Sequence, residues 1–116
     1  MTARVPDLDG RRFGSASNSA AGEVDDATVF TYHQDEDLVW AEYSGGSVRL
    51  GYLVGTRSGD ELAFRYTHVN TAGDSSSGRC HSLLSLTEDG RIRMDETWEW
   101  ESRPGHGVSV VEELAG

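Results

Sequence analysis

The sequence predicts an all-β protein of about eight strands, arranged as an antiparallel up-and-down barrel. Three observations lead there. Apolar and polar residues alternate at period two through most of the chain after Ala27, the signature of strands whose side chains point to opposite faces in turn. Turn signals recur at short intervals, at Asp35-Glu36, Gly45-Gly46, Gly59-Asp60, Glu88-Asp89-Gly90 and Pro104-Gly105. No stretch sustains apolar residues at the i, i+3, i+4, i+7 spacing of a helix. Short strands with regular turns form sandwiches or barrels, and closing the sheet removes the exposed edges. A half-open barrel or a small sandwich is the alternative.

Composition sets further bounds. The chain has 116 residues, the size of one domain. Its net charge of −10 repels phosphate backbones and anionic lipid surfaces, so neither nucleic acid nor a membrane is expected as a partner. Cys80 is the single cysteine, which excludes an internal disulfide and a zinc framework and suits a small buried residue in a reducing compartment. No run approaches the ~20 apolar residues of a spanning helix. Met1 to Asp9 lacks the apolar core of a signal peptide, so a cytoplasmic location is expected. There is no lysine, which rules out Schiff-base chemistry on the chain. No phosphate-binding Gly-rich loop, G-x-S-x-G or H-E-x-x-H is present, and nothing calls for a cofactor or a metal.

Along the chain, residues 1–10 read as a flexible lead-in, with Val5 and Leu8 able to pack, and 11–116 as the barrel domain. Strands are expected over Arg11–Ser17, Ala27–Gln34, Leu38–Tyr43, Ser47–Thr56, Glu61–Asn70 and Gly78–Leu86. A final hairpin spans Arg91 to Glu113 and turns at Arg103-Pro104-Gly105. Asn18–Asp26 and Thr71–Ser77 are polar, small and read as loops.

Turn lengths fix register, and register decides which side chains share a face. A two-residue loop at Asp35-Glu36 sets Tyr32 opposite Val39. One at Gly45-Gly46 sets Glu42 opposite Arg49. A three-residue loop at Gly59 sets Tyr52 opposite Tyr66. The Glu88–Gly90 loop sets Ser82 opposite Glu96 and Cys80 opposite Trp98. Centring the last hairpin on Pro104 sets Trp98 opposite Val110 and Glu96 opposite Glu112. One face then holds most of the apolar residues, and it is expected to be the interior.

That interior is more polar than a packed core requires. It is expected to hold Tyr32, Tyr43, Tyr52, Tyr66, His68, Trp98 and Trp100 together with two facing carboxylates, Glu96 and Glu112. Buried carboxylates are expensive unless paired, and facing ones share a proton. A barrel of eight strands has room for packed side chains or one small ligand, and aromatic walls with a few convergent polar groups describe a ligand pocket. The expected function is therefore binding of an apolar or aromatic small molecule. Tyr32, Tyr43, Tyr52, Tyr66, Trp98 and Trp100 are its candidate wall. Glu96, Glu112 and His68 are candidates for anchoring or for acid–base catalysis, as in a cyclase or isomerase. The bland readings stand beside these: carboxylates wetted at a barrel mouth, a structural histidine, and tryptophans that only fill a core. A third reading is a protein-interaction module, or a homodimer, built on an outer patch of Val29, Leu38, Trp40, Leu53 and Val69.

Several runs carry a resemblance over nearly the whole chain after Asp7. They include Leu8-Asp9-Gly10-Arg11-Arg12-Phe13, Tyr32-His33-Gln34, Tyr43-Ser44-Gly45-Gly46, His68-Val69-Asn70, Gly78-Arg79-Cys80, Trp98-Glu99-Trp100 and Ser109 to Glu113. With these the chain resembles a group of short bacterial proteins often labelled N-acetylglutamate synthase. The group is similar in strand pattern to calycin-like barrels, the lipocalin and fatty-acid-binding class. The resemblance implies a calycin-like barrel and assigns no catalytic residues. The mixed α/β pattern and Gly-rich loop of an acetyltransferase are absent from the sequence.

Overall fold

A computed structural model describes residues 5–18 and 22–114. Eight strands follow in chain order: β1 (Arg12–Asn18), β2 (Val29–Asp35), β3 (Leu38–Gly45), β4 (Val48–Ser58), β5 (Glu61–Asn70), β6 (Ser75–Leu86), β7 (Ile92–Trp100) and β8 (His106–Glu113). Each pairs antiparallel with its neighbours, and β8 pairs back to β1, so the sheet closes into an up-and-down barrel. The expected fold class is the observed one. The alternating burial along β6 and β7 is the period-two pattern read from the sequence, now with its inward phase identified.

The strand interiors divide into two halves. Toward one end, Leu8, Phe13, Val39, Leu62, Leu84, Ile92, Met94 and Val111 are buried and form a packed plug. Val5 and Leu8, from the segment before β1, pack into it. Of the expected lead-in, 1–4 lie outside the described residues, whereas Val5 and Leu8 are buried. Arg57 donates to the Pro6 and Val5 carbonyls, and Gln34 Oε1 accepts from the Leu8 amide. The other half is lined by aromatic and polar side chains and opens toward the turns after β1, β3, β5 and β7.

Registers differ from expectation where extra residues enter a turn or strand. At β2–β3 the loop is Glu36-Asp37, with Glu36 at φ 55°, and Tyr32 faces Ala41. That slip of two residues leaves the faces unchanged. At β3–β4, Gly45 pairs with Val48, a bulge follows between Tyr43 and Gly45, and Glu42 faces Tyr52 instead of Arg49. A second irregularity lies at Val48–Leu50 against β5. The net slip is odd, so β4 turns over beyond Val48. Gly51 and Leu53 point inward, while Leu50, Tyr52 and Val54 are exposed. The β7–β8 turn is longer than expected, with Glu99 facing His106, and Glu96 faces Ser109. This odd slip also reverses β8: Ser109 and Val111 are buried, and Val108 is exposed. β6 starts at Ser75 because Ser75–Ser77 pair with Thr67–Val69, which shortens the expected 71–77 loop.

Candidate functional site

The open half of the barrel encloses a cavity of about 50 Å³. Its walls are aromatic: Phe30 and Tyr43 from β2 and β3, Phe64 and Tyr66 from β5, Trp98 and Trp100 from β7. The two tryptophans meet edge to face at 5.5 Å, and Trp100 makes similar contacts with Tyr66 and His68 at 5.7 Å each. Two inward glycines make this packing feasible. A Cβ at Gly51 would stand 2.4 Å from the Tyr43 ring, and one at Gly78 would stand 2.5 Å from the Tyr66 hydroxyl and 2.4 Å from the Glu99 carbonyl. Each glycine therefore provides the space that a tyrosine from a neighbouring strand fills.

Glu96 is the carboxyl of the cavity wall, and part of its surface also borders a hollow on the outer face. Its place follows from β7 alternation, one step inward of Trp98. The Ser82 hydroxyl donates to Oε2 at 3.2 Å and the Ser109 hydroxyl to Oε1 at 2.9 Å. Among the described residues no arginine or histidine pairs with it. Burial among apolar rings disfavours the charged form and outweighs the two serine hydrogen bonds, so the carboxyl is pushed up to about 7. The hydroxyls of Tyr32, Tyr43 and Tyr66 and the Cys80 thiol share this surrounding, and burial pushes all of them up too. They remain neutral at any ordinary pH.

A second polar cluster lies at the mouth. His68 is buried, with Tyr43 Oη at 2.9 Å from Nδ1 and Glu23 Oε1 at 2.8 Å from Nε2. Both ring nitrogens thus have a hydrogen-bond partner, the Tyr43 hydroxyl at Nδ1 and the Glu23 carboxylate, which accepts, at Nε2. Glu23 also accepts from Asn70 Nδ2 at 3.0 Å and lies 3.3 Å from Arg103 Nη2. Burial alone would raise Glu23, but the Asn70 and His68 hydrogen bonds and the charges of His68 and Arg103 hold it below its usual range. The Arg103 guanidinium lies 4.5 Å from the centre of the Trp100 ring. Asn18 accepts from Trp98 Nε1 at 3.2 Å and donates to the Val24 carbonyl at 3.0 Å. It thereby joins the β1 end to the cavity wall.

Most candidates from the sequence meet here, and two do not. Tyr32, Tyr43, His68, Trp98 and Trp100 are buried inside the barrel, Tyr66 is half-buried in its wall, and Glu96 points inward. Tyr52 is exposed on the outer face because β4 turns over. Glu112 pairs with Arg93, whose Nη1 lies 3.9 Å away, because β8 turns over. The expected couple of facing carboxylates is thus replaced by one carboxyl between two serines. Leu53, expected in the outer patch, is buried inside. Glu23, Asn18, Ser109 and Arg103 were not expected. Glu23 and Arg103 lie outside the strands and Asn18 at the end of one, where period two gives no phase. Among the described residues no three His, Cys, Asp or Glu side chains gather as a metal site.

A closed eight-strand barrel is either filled by its side chains or has room for one small ligand, and the ring-lined cavity at one end fits the second case. A family model described as avidin-like protein matches residues 6–114. The chain belongs to the avidin-like family. The calycin-type barrel implied by the resemblance agrees with this match. Comparison with curated proteins and with solved structures gives no significant match to either. A larger but open hollow of about 770 Å³ lies over the outer face of β4 to β8. Its arginines, Arg65 and Arg79, are paired with Glu101 and Glu99. The aromatic cavity inside the barrel is therefore the better candidate in this avidin-like barrel.

Proposed function

We propose that this avidin-like barrel binds a compact, largely apolar small molecule in the cavity between Tyr43, Tyr66, Trp98 and Trp100, with Glu96 gripping a polar handle. One observation carries the reading: a largely buried carboxyl lines an aromatic cavity and, among the described residues, is held by two neutral serine hydroxyls and by no cation. Keeping such a group in a protein interior is costly, and a ligand that hydrogen-bonds to it offsets that cost. The binding of small ligands by avidin-like proteins supports the same reading. The test is a thermal-shift and tryptophan-fluorescence screen with biotin, small alcohols, acids and amines. At least one class should raise Tm and change the emission of Trp98 and Trp100. No shift from any class, with ordered water alone in a crystal structure of the cavity, would refute it.

A second reading on the same cavity is acid–base catalysis. Glu96 sits near 7, where a general acid or base works best at neutral pH. As an isomerase or cyclase, the barrel would fold its substrate against the rings while Glu96 moves the proton. His68 would then be a positioning residue, since both of its ring nitrogens are engaged by Tyr43 and Glu23. Turnover of any substrate that survives Glu96→Gln would exclude Glu96 as that group.

The outer face of β3 to β5 supports association with a second copy of the chain. Trp40 faces Val54 and Leu50 faces Val69 across the strands, and Leu38 and Tyr52 are also exposed there. These side chains form a contiguous apolar stripe. Sedimentation should show a dimer for the wild type and a monomer for Tyr52→Arg. A wild-type monomer at high concentration would remove this reading.

A further inference from the structure

We propose that the ligand of the cavity is a small organic cation, a protonated amine whose ammonium group meets Glu96 and whose carbon groups lie against Trp98, Trp100 and Tyr66. The inference rests on the binding function proposed above and adds the charge class of the ligand.

The charges around the cavity point one way. Tyr32 from β2, Tyr43 from β3, Tyr66 from β5 and Cys80 from β6 surround Glu96 and are kept neutral by burial; Glu23 and His68, paired with each other, line the same cavity at its mouth, and His81 lines the outer hollow that Glu96 borders. Asp95, next to it on β7, is a further acid and pairs outward with Arg93. No cation among the described residues reaches Glu96. Each Glu96 oxygen accepts one serine hydroxyl and retains capacity for another donor. An ammonium supplies such donors together with the missing charge. A ligand carboxylate would face Glu96 at close quarters without a compensating cation.

The walls agree with the carboxyl. Electron-rich faces of tryptophan and tyrosine attract cations within about 6 Å of the ring centroid. The protein already uses one face in this way, since the Arg103 guanidinium stands 4.5 Å from the Trp100 centroid. Arg103 is itself neutralised by Glu23 at the mouth, so its charge is compensated there. A cavity of about 50 Å³ suits an ammonium head with few carbons better than a long chain.

Proton balance gives the inference a sign. Below pH 7 Glu96 holds a proton, and an entering ammonium must release it to bulk water. Only the ionised fraction of the barrel is competent, so apparent affinity scales with that fraction. With the carboxyl at about 7, an amine should bind about tenfold more weakly at pH 6 than at pH 8. A ligand that accepts a hydrogen bond from the protonated carboxyl shows the opposite trend.

The experiment compares tert-butylamine with tert-butanol and pivalate, near-isosteres that are cationic, neutral and anionic. Binding to the full chain is followed by ligand-observed NMR at pH 6 and pH 8, in the wild type and in Glu96→Gln. The expected result is preference for the amine, the tenfold gain toward pH 8, and at least tenfold loss with disappearance of the pH trend in Glu96→Gln. The wild-type pH trend stands as a test even if the variant fails to fold. Tighter binding of tert-butanol or pivalate, or a flat or reversed pH trend for the amine, overturns the amine assignment and leaves the binding function in place. No binding by any of the three, nor by any member of the wider screen, overturns both.

Discussion

Replacing Glu96 by Gln should stabilise this protein at neutral and alkaline pH, and by an amount that depends on pH. Folding moves the Glu96 carboxyl from 4.5 to about 7. Between those values the folded state holds a proton that the unfolded chain has lost, so stability falls as pH rises through this window. It is flat above the window, with the full penalty present. At about 1.4 kcal/mol per pKa step the ceiling is roughly 3 kcal/mol. Glu96 keeps part of its surface accessible, and the screening this allows brings the expected figure to about 1–2 kcal/mol. Glutamine keeps the shape, accepts from one serine and removes the ionisation. Scanning calorimetry or dye-monitored melting of both proteins at steps from about pH 5 to pH 8 measures the difference. The Tm of Glu96→Gln minus that of the wild type should be near zero at the acid end and rise to about 4–8 °C at pH 8. Other carboxylates titrate in both proteins and cancel. A difference that does not vary with pH, or one that reverses sign toward pH 8, would refute the claim that Glu96 is held largely out of water without a countercharge.

Other perturbations have equally definite outcomes. Glu23 works in the opposite sense to Glu96: its partners hold it below 4.5, so its contribution is present above that value and is lost as pH falls through its folded value. Glu23→Gln should therefore melt below the wild type at pH 7 and converge with it in strong acid. Tyr43→Phe leaves the buried His68 Nδ1 without its hydroxyl partner and should destabilise by roughly 1–3 kcal/mol in urea melts. Gly78→Ala places a Cβ against the Tyr66 hydroxyl and the Glu99 carbonyl, for about 1–3 kcal/mol of strain. An unchanged midpoint in that variant would contradict the close approach of Tyr66 and Glu99 to Gly78. Cys80 is buried and its thiol is pushed up, so iodoacetamide should label it only after unfolding.

How much of this was legible in the sequence depended on whether a strand carried its own phase. In β7, Ile92, Met94, Trp98 and Trp100 are apolar and Arg93, Asp95 and Glu99 are charged, so the inward phase is fixed whatever the turn does. Glu96 inherits it, and its pairing with Ser82 is as expected. β8 has no such phase: Val108 and Val110 compete with Ser109 and Val111, and only the turn length decides between them. The real turn is longer, so Glu112 moved outward and Ser109 took its place beside Glu96. In β4 both Leu50-Tyr52-Val54 and Gly51-Leu53 are tenable inner rows. The bulge near Gly45 chose the second, which put Tyr52 outside. Gly51 is informative only afterwards, as the vacancy the Tyr43 ring needs. The mouth cluster was the least legible part. Glu23 is bound by the side chains of Asn70, Arg103 and His68, partners 47, 80 and 45 residues distant in the chain, and no local pattern announces such contacts.

The central claim is that the cavity between Trp98, Trp100 and Glu96 is a binding site. The most direct measurement is a crystal structure of the protein with the best ligand from the thermal-shift screen. The account predicts that ligand inside the barrel, its polar group within hydrogen-bond distance of Glu96 and its apolar part against the two tryptophans. A stabilising ligand seated on the outer face, with the interior holding water alone, would contradict it.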